Sequence, residues 1–118
     1  MECTIELEKC DQLSIVYASG EIDAVTCSKL EETLDDLIAR GEKWIVLDLK
    51  EVRYISSAGL RVLLVTTKKL HGNGRFALSR MQEEVKGILE MTGFTNIIDT
   101  HDDLEAAKSA LTRAEGDQ

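Results

Sequence analysis

The stretch Val52-Arg53-Tyr54-Ile55-Ser56-Ser57-Ala58-Gly59-Leu60-Arg61-Val62-Leu63-Leu64 decides the fold. Ahead of it, Trp44-Ile45-Val46-Leu47-Asp48-Leu49 is a short, mostly apolar run, the pattern of a buried strand. Behind it, Leu60, Leu63, Leu64, Thr67 and Leu70 recur at i, i+3, i+4, i+7 and i+10, the period of one helix face. Ser56-Ser57 therefore stands where a strand and loop hand over to a helix. A hydroxyl there either accepts from the free backbone N–H groups of the helix start or presents itself to solvent. Gly59 lets another segment approach the backbone closely. From this pattern alone, either serine is first of all a helix N-cap. Leu63 and Leu64 are expected to be buried.

Working outward, Thr4 to Glu8 alternates polar and apolar, Lys9 to Gln12 is a turn, and Leu13 to Ser19 is a second strand, so the chain opens on a hairpin. Gly20-Glu21-Ile22-Asp23 closes that strand. A first helix follows with Leu30, Leu34, Leu37 and Ile38 on one face; Ser28 and Glu31 form a candidate capping box, and Gly41 is the stop. After the central helix, His71-Gly72-Asn73-Gly74 is a breaker and Arg75 to Ser79 a strand. Ser79 and Gln82 are the expected cap of a third helix, with Val85, Ile88, Leu89 and Thr92 on one face. Gly93 ends it, and Phe94 packs back. Asn96 to Thr100 is a short strand, and Asp102 caps a last helix carrying Leu104, Ala107 and Leu111. Met81 and Met91 are expected to fill the core. Strands alternating with helices from residue 13 onward predict a single α/β domain over residues 1–113. The opening hairpin makes its sheet mixed, and residues 114–118 form a polar tail.

The chain has 118 residues, 43% of them hydrophobic and only 4% aromatic, which predicts one domain with an aliphatic core. Its formal net charge of −8 argues against nucleic-acid binding and against docking on an anionic membrane. The longest wholly apolar run, Val62 to Val65, is far too short to span a bilayer. Cys3, Cys10 and Cys27 lack metal or redox spacing, and with no secretory segment in view they predict reduced thiols and a cytoplasmic location. A phosphate-binding Gly-x-x-x-x-Gly-Lys loop and a Gly-x-Ser-x-Gly hydrolase elbow are both missing, and His71 and His101 have no ligand-spaced neighbours.

The strand bearing Asp48, the short loop, Ile55-Ser56-Ser57-Ala58-Gly59-Leu60 and the long apolar helix together resemble the STAS domain. The resemblance extends to element order over nearly the whole chain. More narrowly, it is to the small stand-alone STAS proteins called anti-sigma factor antagonists. Their signature at this helix start is Asp-Ser-(Ser/Ala)-Gly-Leu, and the serine after the Asp is phosphorylated by a partner kinase. Ser57 falls on that serine, Ala58 and Gly59 on the next two positions and Leu60 on the leucine. Ser56 replaces the Asp and adds a second hydroxyl, which makes it the second candidate. Gly20, Ile22 and Asp23 match a Gly-x-(Ile/Leu)-Asp motif whose following loop lies beside the phosphoacceptor.

The resemblance implies a mixed sheet with packed helices. It also implies a partner surface made of Asp23, Ser56, Ser57, Ala58, Gly59, Leu60 and Arg61. STAS domains often carry an Asp at the position of Asp48, close to the phosphorylation loop; a structural or electrostatic role is expected for it. The implied partners are an anti-sigma factor that is also a serine kinase and a metal-dependent serine phosphatase. ATP and Mg²⁺ belong to the kinase, and no cofactor is expected on this chain. Ser57 is then a substrate side chain, and the protein is not an enzyme. Two other STAS roles stand as alternatives: a non-phosphorylated subunit of a membrane transport complex, or a small-ligand or nucleotide sensor.

Overall fold

In the computed structural model, residues 3–116 are described. They form strands β1 (Cys3–Cys10), β2 (Leu13–Ile22), β3 (Trp44–Ile55), β4 (Arg75–Ser79) and β5 (Asp99–His101). The helices are α1 (Cys27–Ala39), α2 (Ser57–Leu70), α3 (Glu83–Met91) and α4 (Leu104–Gly116), with a short 3₁₀ turn at Phe94–Asn96. The strands make one sheet in the order β1-β2-β3-β4-β5. β1 and β2 pair antiparallel and the rest are parallel, so the sheet is mixed, as the sequence predicts. The polar tail expected over 114–118 lies partly outside the described residues.

Sequential strand order has a consequence for the helices. Each parallel connection steps the same way across the sheet, and right-handed crossovers then place α1, α2 and α3 on one face. That face buries Val16 and Ala18 of β2, Ile45, Leu47 and Leu49 of β3, and Phe76 and Leu78 of β4, beneath Leu30, Leu34, Leu63 and Leu89 of the helices. The alternate residues, Leu13, Ile15, Val46 and Ala77, turn to the other face and meet Ala107 and Leu111 of α4. Two-residue alternation in the strands thus serves two cores of unequal size.

Several local expectations are corrected. β3 continues six residues beyond Leu49, because its far half still pairs with β2 through Val52, Tyr54 and Ile55. The opening hairpin turns at Asp11-Gln12 without an Asn-Gly pair; Asp11 itself takes the left-handed conformation, φ 58°. α1 starts at Cys27, so Ser28 lies inside the helix and forms no capping box with Glu31. At its other end Gly41, with φ 90°, supplies the left-handed stop. Ser79 belongs to β4 and does not cap α3; Gln82 precedes that helix and donates to the Lys50 carbonyl at 2.8 Å. Asp103, not Asp102, caps α4 by accepting from the Ala106 N–H at 2.7 Å. The last strand begins at Asp99, after Asn96 has closed the 3₁₀ turn. On α2, Leu63 is fully buried, whereas Leu64 is only half-buried on the flank, so the core load falls on Leu63. Met81 packs against the core, but Met91, in the last turn of α3, is 87% exposed.

Candidate functional site

The sequence-predicted site residues converge at the carboxyl ends of β2 and β3. β3 ends on Ile55, whose buried side chain anchors the last strand position. The Ser56 N–H donates to the Ile22 carbonyl at 2.8 Å, tying the exit of β3 to the exit of β2. Ser56 is extended, with φ −89° and ψ 174°, and its Oγ accepts from the Gly59 N–H at 3.2 Å. Its carbonyl takes the first helical bond, from the Leu60 N–H at 2.9 Å. Ser56 is therefore the N-cap, and Ser57 is the first residue of α2. The two serines differ in their surroundings: Ser56 is half-buried and hydrogen-bonded, while Ser57 is exposed and makes no side-chain hydrogen bond among the described residues.

Gly59 is buried where α2 crosses the exit of β2. A Cβ at this position would lie 2.7 Å from Ile55 Cγ1 and 2.8 Å from Ile22 Cγ2. Only glycine lets the helix start sit this close to the neighbouring strand end. Ala58 packs against the core and Leu60 is buried, so both set the pitch of the helix end. Arg61 is exposed.

The loop from β2 to α1 is braced by Asp23. Its Oδ1 accepts from the Val25 N–H and the Thr26 N–H, both at 2.9 Å. The Asp23 N–H in turn donates to Thr26 Oγ1 at 2.9 Å, and that hydroxyl donates to the Glu21 carbonyl at 2.6 Å. The Thr26 N–H, and next the Val25 N–H, hold the Asp23 carboxyl below its ordinary range. Sequence reasoning names Asp23 but misses Thr26, although the Asp-x-x-Thr spacing carries this reciprocal pattern. Val25, at the head of the turn, is 82% exposed, and Tyr54, at the end of β3, is 46% exposed.

Asp48 is not part of this constellation. It lies seven residues before Ile55 on the same strand, roughly 20 Å away at ordinary strand rise. Its carboxylate is buried, accepts from Ser79 Oγ at 2.8 Å, and holds Arg80 through Nε at 2.7 Å and Nη2 at 3.0 Å. The expected structural role fits this geometry, and the expected nearness to the phosphorylation loop does not. His71 and His101 belong to no cluster of three or more metal-binding side chains among the described residues. No helix among the described residues is long and apolar enough to cross a membrane.

Comparison with known proteins gives a consistent picture. The pattern of the STAS domain matches residues 4–107. The anti-sigma F factor antagonist of Paenibacillus polymyxa is 32% identical over 117 residues, covering 98% of this chain and 97% of that one. BtrV of Bordetella bronchiseptica is 33% identical over 111 residues, with 93% and 96% of the two chains covered. The crystal structure of an anti-sigma factor antagonist from Mycobacterium paratuberculosis superposes with a TM-score of 0.89 at 29% identity, over 94% of this chain and 95% of that one.

Proposed function

Because this chain belongs to the STAS domain family, among the anti-sigma factor antagonists, we propose that it is a phosphorylation-controlled protein-binding switch. In this reading the unphosphorylated form binds an anti-sigma factor that is also a serine kinase, and binding frees a sigma factor. The kinase supplies ATP and Mg²⁺. A bond forms between Ser57 Oγ and the γ-phosphorus as the bond from that phosphorus to the bridging oxygen of ADP breaks. The hydroxyl proton passes to the kinase or to solvent. A metal-dependent serine phosphatase hydrolyses the ester and resets the switch.

One observation carries the choice of residue: Ser57 is exposed and its hydroxyl has no partner among the described residues, whereas the neighbouring Ser56 hydroxyl is held by Gly59 N–H. The exposed Val25 and Tyr54 side chains offer apolar contacts at the same end of the sheet. Asp23 contributes by shaping the loop that presents Val25. Phosphorylation adds about −1.5 to −2 charges at neutral pH. At a helix start that charge is tolerated, so the fold persists. In an interface it introduces bulk and an unpaired charge, so the partner dissociates.

The test incubates the protein with an anti-sigma factor kinase from the same organism, ATP and Mg²⁺, and maps the phosphate by mass spectrometry. Phosphate on Ser57 is expected, and none on Ser57→Ala, which stays folded and still binds the kinase in a calorimetric titration. Ser57→Asp stays folded and binds more weakly. Modification mostly at Ser56 would refute the assignment. Unchanged kinase affinity of both the phosphorylated protein and Ser57→Asp would leave the transport-subunit and ligand-sensor roles ahead.

A further inference from the structure

Arg61 has no obvious employment in the folded chain. It is exposed, and among the described residues it makes no ion pair and no side-chain hydrogen bond. Its helical neighbours at i−4, i−3, i+3 and i+4 are Ser57, Ala58, Leu64 and Val65, none of them acidic. The first turn of α2 carries no acidic residue either, so nothing on this helix offsets a cation near its positive end. The other arginine of this segment, Arg53, already faces Glu21 at 4.0 Å. Ser57 lies one helical turn before Arg61 on the same face, and both are exposed.

We infer that Arg61 is the internal counter-charge of the switch, pairing with a phosphate on Ser57 across one turn of α2. This rests on the reading of Ser57 as phosphoacceptor. The order of the pair, anion first and cation four residues later, is the favourable one on a helix. A guanidinium offers two parallel N–H donors to phosphate oxygens, which a single ammonium cannot match. Phosphorylation then acts twice at the partner surface. It adds a bulky anion, and it draws Arg61 out of reach of any carboxylate on the kinase. Arg61 is in this sense a positioning residue for the modified state and has no part in forming the ester.

The experiment separates this inference from the reading beneath it. Phosphoserine is incorporated at position 57 during synthesis, in otherwise wild-type protein, in Arg61→Gln and in Arg61→Lys. The second ionisation of the phosphate, ordinarily near pH 6, is followed by ³¹P NMR. Arg61 favours the dianion, so the wild-type midpoint is expected to lie about 0.3–0.7 unit below that of Arg61→Gln. Arg61→Lys should fall between them, and high salt should narrow the gap. Superimposable wild-type and Arg61→Gln curves overturn the role of Arg61 alone. A cognate kinase that leaves Ser57 unmodified overturns the phosphoacceptor reading, and with it any regulatory use of the pair.

Discussion

Ser79 and Ser57 each sit at the carboxyl end of a parallel strand, yet their surroundings differ in every respect that matters. Ser79 is buried and donates to Asp48, whose second oxygen is held by Arg80. Arg80 itself adopts a left-handed backbone, φ 54°, which a non-glycine residue keeps only when its surroundings enforce it. Here the Arg80 N–H bonds to the His101 carbonyl at 3.0 Å and the guanidinium is clamped by Asp48. Every partner in that cluster is inside the protein. At Ser57 the cap, the strand tie and the loop brace are completed by Ser56, Ile22 and Asp23, and the hydroxyl itself has no partner among the described residues. Buried polar groups must be satisfied from within, so the first cluster is read out as stability. In the proposed reading the second serves chemistry, because the Ser57 hydroxyl meets solvent.

The largest effect that tests this contrast is expected from Asp48→Ala. It strands Ser79 Oγ in the core and leaves Arg80, whose side chain is 31% exposed, without its carboxylate. The loss should be about 2–4 kcal/mol by urea denaturation. Phosphate incorporation at Ser57 should be unchanged wherever the variant is folded. A loss of Ser57 modification in folded Asp48→Ala protein would tie the two clusters together and break the comparison.

Gly59→Ala comes next, at about 1–3 kcal/mol, because the added methyl collides with Ile22 and Ile55. Unlike Asp48→Ala, it should also weaken kinase binding, since the helix start must shift away from the β2–α1 loop. Equal affinity of the folded variant and wild type in a calorimetric titration would argue against close packing as the feature that shapes the partner surface.

Ser56→Ala removes the cap and should cost about 0.5–2 kcal/mol. Phosphopeptide mapping should still find the phosphate on Ser57 of this variant. Full thermal stability together with lost phosphorylation would reverse the roles assigned to the two serines.

The smallest effect is a pH response confined to one loop. The Asp23 carboxyl is lowered by the Thr26 and Val25 N–H groups. Its contribution is therefore fully present above the unfolded carboxylate value, about 3.9, and is lost as pH falls through the lower folded value. The Val25 and Thr26 amide shifts should report one titration below the usual Asp range, and Asp23→Asn should abolish it. An ordinary midpoint at these amides would mean the brace is not formed in solution.

Local and periodic signals account for what could be read in advance. The strand signals of β1 and β2, the helical spacing of α1 and α2, and the Gly41 and Gly93 stops are properties of contiguous residues, and these elements appear in the structure where expected. The motif Ser57-Ala58-Gly59-Leu60 likewise marks a strand-to-helix handover before any contact is known. The caps of α1, α3 and α4 carry a weaker local signal. Ser, Thr, Asp and Asn cluster near helix starts, and several spacings compete until the loop settles on one; the choice of Asp23 with Thr26, or of Asp103, is made by the path of the chain.

The amino-acid sequence by itself determined the α/β class, the order of elements and the family, because these rest on periodicity and on a contiguous motif. Tertiary structure decided which serine caps the helix. Ser56 is consumed only because α2 begins against the Ile22 carbonyl, with Gly59 close enough to donate. It also decided that Asp48 is a core ion-pair residue distant from that site. The partners of Asp48, Ser79 and Arg80, come from β4 and its exit, more than thirty residues away in the chain. Hydrogen bonds between such distant residues follow from strand pairing, here Asp48 against Ser79, and no local pattern encodes them.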